Sequence, residues 1–529
     1  MPPATGYTVT RGLRIPMRDG VELLADHYAP AHTPAQGTIL VRGPYGRGGA
    51  FALGVRLYAD RGYHVLLQSC RGTFGSGDRF QPMLREADDG QDTVAWLRQQ
   101  EWFDGRLATL GPSYLGFTQW ALLMDPPPEL RTAVVSVGPH DFNRATHGPG
   151  AFSLGDFLGW AEMVANQEDP GVLRSVVRMA TRDRRLRPGY DGLPLADAGE
   201  TVLAGRAPWY RDWVSRDDPS DPYWLPTRLD AALDRVQVPV LIIGGWYDLF
   251  ADQTLEQYVH LHRRGLDVAL TMGAWTHMDI ASRAGAETAR ETLDWLGEHV
   301  AGRPGRRRAA PVRIQVTGAD GGWRGLPEWP PPADDHVLFL TAGAVRCGGL
   351  AAAAPTDGGT AQFVYDPEHP TPAVGGRVLI ADAGVRDNRA LEARPDVLLF
   401  TGEPLAADLE VVGVPVVEVA HGSDNPHADL FVRICDVDPH GRSRNLADGF
   451  ARLTGADRPE VVHIRLDALA HRFPAGHRIR LQVSGGAHPR FARNLGTGEP
   501  AAGSTRTRPS QRTVTLDGSS RLVLPVAAG

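Results

Sequence analysis

One serine in this 529-residue chain sits where a hydroxyl group could act as a nucleophile. Ser113 lies in the segment Gly-Pro-Ser-Tyr-Leu-Gly (residues 111–116), between a short apolar run ending at Leu110 and a helix-like run starting at Phe117. A serine at such a strand-to-helix turn lies next to a helix N-terminus, whose N–H groups can stabilise a developing oxyanion. We therefore predict Ser113 as the nucleophile, although Leu115 stands where the usual Gly-x-Ser-x-Gly pattern has its second glycine.

A serine hydroxyl group is a weak nucleophile without a neighbouring base, and two later segments supply a base and an acid. Asp248 follows an apolar run that ends at Ile243, and His277 follows another that ends at Met272. The carboxyl ends of parallel strands meet at one edge of a sheet, and the chain order Ser, Asp, His is that of α/β hydrolases. We predict His277 as the general base and Asp248 as the acid that orients it.

Other residues near these positions compete for the same roles. Asp252 and Asp279 are nearby carboxylates, but an isolated aspartate in a loop is usually a cap or turn residue. His260 and His262 are two residues apart on a predicted helix, so they point to different faces and are poorly placed to share a metal ion. His64 lies inside a predicted strand, where a core position is expected. We predict no metal site and no cofactor.

Composition and charge narrow the classes of function. The net charge of −7 gives no electrostatic support for binding nucleic acid or an anionic membrane. The chain has no lysine, which excludes Schiff-base chemistry, a Walker phosphate loop and a Ser-x-x-Lys nucleophile. The cysteines at 70, 347 and 435 are too widely spaced for a disulfide framework or a zinc knuckle. No apolar run is long enough to span a membrane and no signal-peptide core is present, so we expect a cytoplasmic protein.

The elements that must position these residues change along the chain. Residues 1–145 and 225–305 alternate short apolar strands with helices, which predicts a mostly parallel sheet covered on both faces. Residues 146–224 have helical spacing interrupted by prolines, which indicates an inserted helical cap. Residues 306–529 follow a Gly-, Pro- and Arg-rich linker and carry short β-rich runs, which predicts a β-sandwich. The predicted fold class is an α/β-hydrolase domain with an inserted cap and a C-terminal β-sandwich.

The three predicted catalytic residues lie in short motifs: residues 111–116, the Gly-Gly-Trp-Tyr-Asp turn at 244–248 and Trp-Thr-His at 275–277. These motifs resemble those of the cocaine-esterase and X-Pro dipeptidyl-peptidase family (CocE/NonD hydrolases). In that family a tyrosine follows the serine and the second glycine comes one place late, as it does here. Further similar segments lie at 71–77, 102–106, 218–224, 396–401, 404–405 and 408–409. The resemblance covers nearly the whole chain.

The resemblance implies hydrolysis of an ester or amide through an acyl-enzyme, and a jelly-roll topology for the C-terminal sandwich. It also implies an oxyanion hole formed by the Tyr45 hydroxyl group and by the backbone N–H of Tyr114. The expected partner is a small-molecule ester or amide, and a homodimer is the assembly we consider. Phe152, Phe157 and Trp160 are predicted to line an acyl pocket, although their helical spacing is also typical of packing residues.

The function we expect is that of an esterase acting on a carboxylic ester. The alternative enzyme is an X-Pro dipeptidyl peptidase, or an acylase acting on amino-acid esters or amides. A free-amine substrate needs carboxylates near the pocket, and Glu162, Glu168 and Asp169 in the predicted cap are the residues considered for this role. The alternative from another class is a catalytically silent protein whose C-terminal sandwich binds a ligand.

Overall fold

The computed structural model describes residues 6–31, 34–169, 171–303, 308–344, 346–380 and 382–527. The chain forms two compact units. The first runs to Ala145 and continues over Ser220–Gly245 and Phe250–Arg313, and the second comprises Thr146–Pro219, Trp246–Leu249 and the residues from Ile314 onward. These two units do not test the boundaries of the four segments predicted from the sequence, and those boundaries stay a prediction.

The first unit begins with strands that alternate with helices. Its elements are β1 (Tyr7–Pro16), β2 (Glu22–Pro30), β3 (Thr38–Gly43), α1 (Gly49–Ala59), β4 (His64–Ser69), α2 (Glu86–Leu97), β5 (Leu107–Pro112), α3 (Tyr114–Leu122), β6 (Leu130–Ser136) and α4 (Phe142–His147). β1 pairs with β2 and β2 with β4, both antiparallel, whereas β4, β3, β5 and β6 are parallel neighbours in that order. The inner strands are almost fully buried because helices cover both faces of a parallel sheet. The predicted parallel sheet is confirmed.

The residues that interrupt the sheet are helical. They form α5 (Leu154–Ala165), α6 (Val172–Ala180), α7 (Arg182–Asp191), α8 (Leu195–Leu203), α9 (Trp209–Ser215) and a 3-10 turn (Pro222–Thr227). The helices α5 to α9 belong to the second compact unit.

The chain then returns to the sheet. It forms α10 (Asp230–Arg235), β7 (Val240–Tyr247), α11 (Ala251–Arg263), β8 (Val268–Thr276), a 3-10 turn (His277–Ala281) and α12 (Gly285–His299). β7 is parallel to β6 and buried along its whole length. β8 lies beside β7, as Gly244 and Met272 show: a Cβ atom built on Gly244 would lie 2.5 Å from the Met272 sulfur atom.

The remainder of the second unit is built mainly from antiparallel strands. They are β9 (Val312–Gly318), β10 (Gly322–Leu326), β11 (Ala333–Ala344), β12 (Cys347–Ala351), β13 (Thr360–Tyr365), β14 (Val397–Gly402), β15 (Leu409–Gly413), β16 (Val416–Ser423), β17 (Ala428–Val437), β18 (Ser443–Leu453), β19 (Glu460–Arg465), β20 (Leu469–Phe473), β21 (Arg478–Ser484), β22 (Ser510–Thr515) and β23 (Arg521–Ala527), with the short α13 (Arg389–Glu392) before β14. Their alternate side chains meet in one apolar core that includes Phe400, Val432, Leu481 and Leu524. The helices in the described part of the chain are all too short or too polar to span a bilayer.

Two histidines, the buried His27 and the half-buried His64, connect β2 with β4. His27 Nε2 and His64 Nδ1 are 2.9 Å apart, and the Trp102 ring stacks on His27 at a centroid distance of 3.8 Å. Burial, together with the nearby His64 ring, lowers the pKa of His27 to about 4, and burial also lowers the pKa of His64. His27 is therefore neutral in the folded chain at pH 7.

We expect the free energy of unfolding to fall as the pH is lowered from about 6.5 towards 4. The unfolded chain binds a proton at His27 near the ordinary pKa of 6.5, whereas the folded chain binds it only near 4, so acid favours the unfolded state. Between pH 7 and 5, His27 should lower the free energy of unfolding by at most about 2 kcal/mol. His27→Gln should remove that share of the pH dependence in urea titrations. His440→Gln, at an exposed position, is the matched control; equal pH dependence in the two variants would contradict the prediction.

Candidate active site

Ser113 lies at the turn between β5 and α3. Its backbone has φ 61° and ψ −124°, outside the regions that residues other than glycine usually adopt. The Ser113 N–H donates to the carbonyl oxygen of Ser136 at 2.9 Å, and its own carbonyl oxygen accepts from Gly116 and Phe117 in the first turn of α3. The half-buried serine is thereby held at the N-terminus of α3, at the carboxyl edge of the sheet.

The late glycine of the serine motif has a packing explanation. A Cβ atom on Gly116 would lie 2.7 Å from the Cα atom of Gly138, so only glycine lets α3 approach the loop after β6. The buried Leu115 fills the space beside Gly43 and Gly111 instead: a Cβ atom on Gly43 would lie 2.5 Å from Leu115 Cδ1, and one on Gly111 would collide with Leu115 Cβ. Relative to the usual Gly-x-Ser-x-Gly pattern, this motif therefore has leucine at the position of the second glycine and glycine one position later, and the turn is kept.

His277 begins the 3-10 turn that directly follows β8. Its side chain is buried, and its ring packs edge-on against Phe250 at a centroid distance of 5.6 Å. A capping box fixes the turn: the Thr276 N–H donates to Asp279 Oδ2 at 2.8 Å, and the Thr276 side chain accepts from the Asp279 backbone N–H. The Thr276 hydroxyl group also donates to Asp279 Oδ2 at 2.9 Å. Asp279, one of the alternative acids, thus holds the turn that carries His277.

Asp248 is the first residue after β7. Its side chain is fully buried, whereas Asp252, the other alternative acid, is exposed in the first turn of α11. A buried carboxylate must be paired or hydrogen-bonded, while an exposed one is solvated. Asp248 therefore has the environment that an orienting acid requires, and its role stays a prediction.

The alternative histidines have other contacts. His260 Nε2 lies 2.7 Å from Asp234 Oδ1 at the surface, and the His262 ring stacks on Tyr258 at 5.4 Å. His64 is half-buried and belongs to the pair with His27 described above. Among the residues that the structure describes, no group of three or more His, Cys, Asp or Glu side chains is arranged to hold a metal ion.

The two tyrosines predicted for the oxyanion hole are in contact. The Tyr45 and Tyr114 ring centroids are 6.4 Å apart with an interplanar angle of 77°, an edge-to-face arrangement. Tyr45 is half-buried in the loop after β3, and Tyr114 is the buried first residue of α3. The first N–H groups of a helix have no partner within the helix, so the N–H of Tyr114 belongs to the set that can bind an oxyanion.

The three aromatic residues predicted to line an acyl pocket lie in the second unit. Phe152, Phe157 and Trp160 are all buried. The rings of Phe157 and Trp160 pack against Trp213 of α9, with centroid distances of 5.9 and 5.7 Å. Phe152 in turn packs against Phe157 at a centroid distance of 6.3 Å. These contacts show a packing role for the three side chains, and the pocket assignment stays a prediction.

Two residues beside the site were not predicted from the sequence. Phe250, which packs on the His277 ring, is two positions after Asp248 and could have been found by its place in the same loop. Glu86, at the start of α2, is buried and accepts a hydrogen bond from the Tyr114 hydroxyl group at 2.7 Å. The sequence alone does not distinguish Glu86 from the other acidic residues of that first turn, because only the packing of α2 on the sheet brings Glu86 to Tyr114.

Comparisons with known proteins give the family of the chain. The model of the X-Pro dipeptidyl-peptidase (S15) family matches residues 19–279, and the model of the X-Pro dipeptidyl-peptidase C-terminal non-catalytic domain matches residues 305–523. The cocaine esterase of Rhodococcus sp. (strain MB1 Bresler) is 30% identical, and the match covers 93% of each chain.

Solved structures show the same fold over the whole length. An α-amino acid ester hydrolase is similar with a TM-score of 0.82 at 23% identity, covering 98% of this chain and 97% of that one. An aminopeptidase from the marine sediment archaeon Thaumarchaeota archaeon gives a TM-score of 0.82 at 23% identity, covering 99% and 97%. The predicted α/β-hydrolase domain with a C-terminal β-sandwich is confirmed. The chain belongs to the cocaine-esterase and X-Pro dipeptidyl-peptidase (S15) family of serine hydrolases.

Proposed function

We propose that this enzyme hydrolyses a carboxylic ester through an acyl-enzyme on Ser113, with His277 as general base and Asp248 as the orienting acid. The observation that carries the proposal is the Ser113 backbone, held at φ 61° and ψ −124° at the N-terminus of α3. Such strained residues persist only where their surroundings fix them, and they cluster at functional sites. The positions of Asp248 and His277 directly after β7 and β8 support the same assignment.

The reaction runs in two halves. Ser113 Oγ attacks the ester carbonyl carbon while its proton moves to His277, and the Asp248 carboxylate stabilises the imidazolium that forms. The tetrahedral intermediate collapses, the C–O bond to the alcohol breaks, and the alcohol leaves with the proton from His277. Water then repeats the sequence on the acyl-enzyme and releases the carboxylic acid, which restores the Ser113 hydroxyl group.

Negative charge on the carbonyl oxygen requires donors that are already in place. We assign this role to the backbone N–H of Tyr114 and the hydroxyl group of Tyr45. The edge-to-face contact of the two rings supports the assignment, because both residues then border the same space beside Ser113.

An ester without a free amino group is favoured over an amino-acid amide or a dipeptide. Glu162 is buried and already bound to two guanidinium groups, Arg178 at 2.9 Å and Arg185 at 2.5 Å. Asp169 pairs with Arg206 at 3.0 Å. Carboxylates neutralised in this way are poorly suited to bind a substrate ammonium group. The 30% identity to an esterase over nearly the whole chain points in the same direction.

We expect the enzyme to hydrolyse p-nitrophenyl esters faster than Xaa-Pro-p-nitroanilides, and a fluorophosphonate to label Ser113. Ser113→Ala should fold, because a half-buried hydroxyl group contributes little to stability, but it should lose labelling and essentially all turnover. Ser76→Ala is the matched control, since the Ser76 hydroxyl group only donates to the Ser69 carbonyl oxygen and accepts from the Leu24 N–H. Continued labelling of Ser113→Ala would refute the assignment, and faster anilide hydrolysis would identify the peptidase alternative.

Asp248→Asn should lower kcat by about 10⁴, because the neutral amide neither selects the right His277 tautomer nor stabilises the imidazolium. Asp252→Asn, at the exposed position four residues later, should leave kcat within threefold of the unchanged enzyme. Steady-state kinetics on the best ester of the panel measures both. The proposal for Asp248 fails if the two variants have the same kcat.

Tyr45→Phe keeps the ring packed against Tyr114 and deletes only the hydroxyl donor. Loss of one oxyanion donor should lower kcat by roughly 10²–10³ with little change in KM, because this hydrogen bond is made mainly in the transition state. Steady-state kinetics with single-turnover controls for rate-limiting chemistry tests this. A kcat within threefold of the unchanged enzyme would return Tyr45 to a packing role.

A further inference from the structure

A buried carboxylate outside the Ser–His–Asp set lies behind the serine turn. Glu86 begins α2, its side chain is only 4% exposed, and its carboxylate accepts two hydrogen bonds and forms an ion pair with Arg42. The Tyr114 hydroxyl group lies 2.7 Å from Oε1, the Arg42 guanidinium lies 3.0 Å from Oε2, and the Cys70 thiol lies 3.4 Å from Oε2. Burying an ionised carboxylate is costly unless it is paired and hydrogen-bonded, and here both conditions are met.

Two further hydrogen bonds hold Arg42 beside the carboxylate. This buried side chain also donates to the Glu86 carbonyl oxygen at 2.9 Å and to Gln68 Oε1 at 2.7 Å. Gln68 in turn donates to the Thr93 hydroxyl group on α2 at 2.9 Å. Arg42 of β3 is therefore tied to Glu86, and Gln68 of β4 ties Arg42 to a second residue of α2.

The Tyr114 side chain is held at its hydroxyl end and along its ring. Its oxygen donates to Glu86 and accepts from the backbone N–H of Met83 at 2.9 Å. Burial and the Glu86 carboxylate raise the pKa of Tyr114 well above its usual value, so the phenol stays protonated as a donor. The ring packs between Phe80 and Tyr45, with centroid distances of 6.1 and 6.4 Å.

We infer that Glu86 is a positioning residue for the hydrolysis: through the Tyr114 side chain it fixes the direction of the Tyr114 N–H and the edge against which Tyr45 packs. This inference rests on the proposed function. The backbone of Tyr114 directly follows the strained Ser113, and a strained turn keeps its geometry only where its neighbours hold it. Both proposed oxyanion donors thus depend on one buried chain of contacts, Arg42 to Glu86 to Tyr114.

An oxyanion hole tolerates little displacement, because misplacement by about 1 Å can cost a factor of 10² in rate. Tyr114→Phe keeps the ring and the backbone N–H but removes the bond to Glu86. We expect kcat to fall roughly 10- to 100-fold with KM within about threefold. Inhibition by phenylboronic acid, which forms a tetrahedral adduct on the serine, should weaken by a similar factor, because the adduct uses the same donors as the transition state.

Tyr58→Phe is the matched control. Tyr58 is a buried tyrosine of the same unit, and its hydroxyl group interacts with Thr292. Both variants lose one buried hydroxyl group, and Tm measurements should show that both fold, while only Tyr114→Phe should lose kcat and boronate affinity. Glu86→Gln keeps an acceptor for the Tyr114 hydroxyl group, so its kcat should lie between those of the unchanged enzyme and Tyr114→Phe.

The outcomes separate this inference from the proposed function. If fluorophosphonate does not label Ser113 in the unchanged enzyme, the proposed function fails. If Ser113 is labelled but Tyr114→Phe retains kcat and boronate affinity within threefold, only the positioning role of Glu86 is overturned. Should Tyr114→Phe fail to fold, Glu86→Gln decides: reduced kcat with unchanged KM supports the role, whereas unchanged kcat, or failure of this variant to fold as well, shows that the contacts serve stability alone.

Discussion

The reversal of the chain at Ser113 is the constraint on which the arrangement of the first unit depends. A residue other than glycine at φ 61° costs on the order of 1–3 kcal/mol, so it must be held from outside. The N–H of Ser113 is bonded to β6, and its carbonyl oxygen is bonded to the first turn of α3. Relaxing the turn would break the pairing between sheet and helix on both sides, which is why the strain can persist.

The parallel sheet that supplies this support was predictable because its strands are buried on both faces. β3, β4 and β7 appear in the sequence as apolar runs that end at turn residues, and the structure places strands there. β1 was not predicted, since Tyr7–Pro16 mixes polar and charged residues and pairs antiparallel at the edge of the sheet. β6 was missed because Arg131 and Thr132 interrupt its apolar residues, although the Thr132 hydroxyl group finds a backbone acceptor at Pro239.

Some residues of the site can be predicted from short sequence motifs, whereas others are selected only by tertiary packing. The serine motif and the two loop residues after β7 and β8 are readable because each depends on a few consecutive residues. The spacing of Thr276 and Asp279 could have been read as a capping box, which would have removed Asp279 from the alternative acids beforehand. Glu86 could not be distinguished in this way, since its role arises from Tyr114 and Arg42, which are brought to it only when α2 packs on the sheet.

The absence of lysine bears on how such buried carboxylates are held. A guanidinium group presents several donors in one plane, so Arg42 reaches Gln68, the Glu86 carbonyl oxygen and the Glu86 carboxylate together. A lysine ammonium is a compact point charge and could not span these acceptors. In the second unit Arg433 is used in the same manner, with Asp448 at 2.6 and 2.8 Å and Asn388 at 2.8 Å. Because each arginine fixes several acceptors at once, the carboxylate it binds is oriented as well as neutralised, and an oriented carboxylate is what the Tyr114 side chain needs in order to hold the turn beside Ser113.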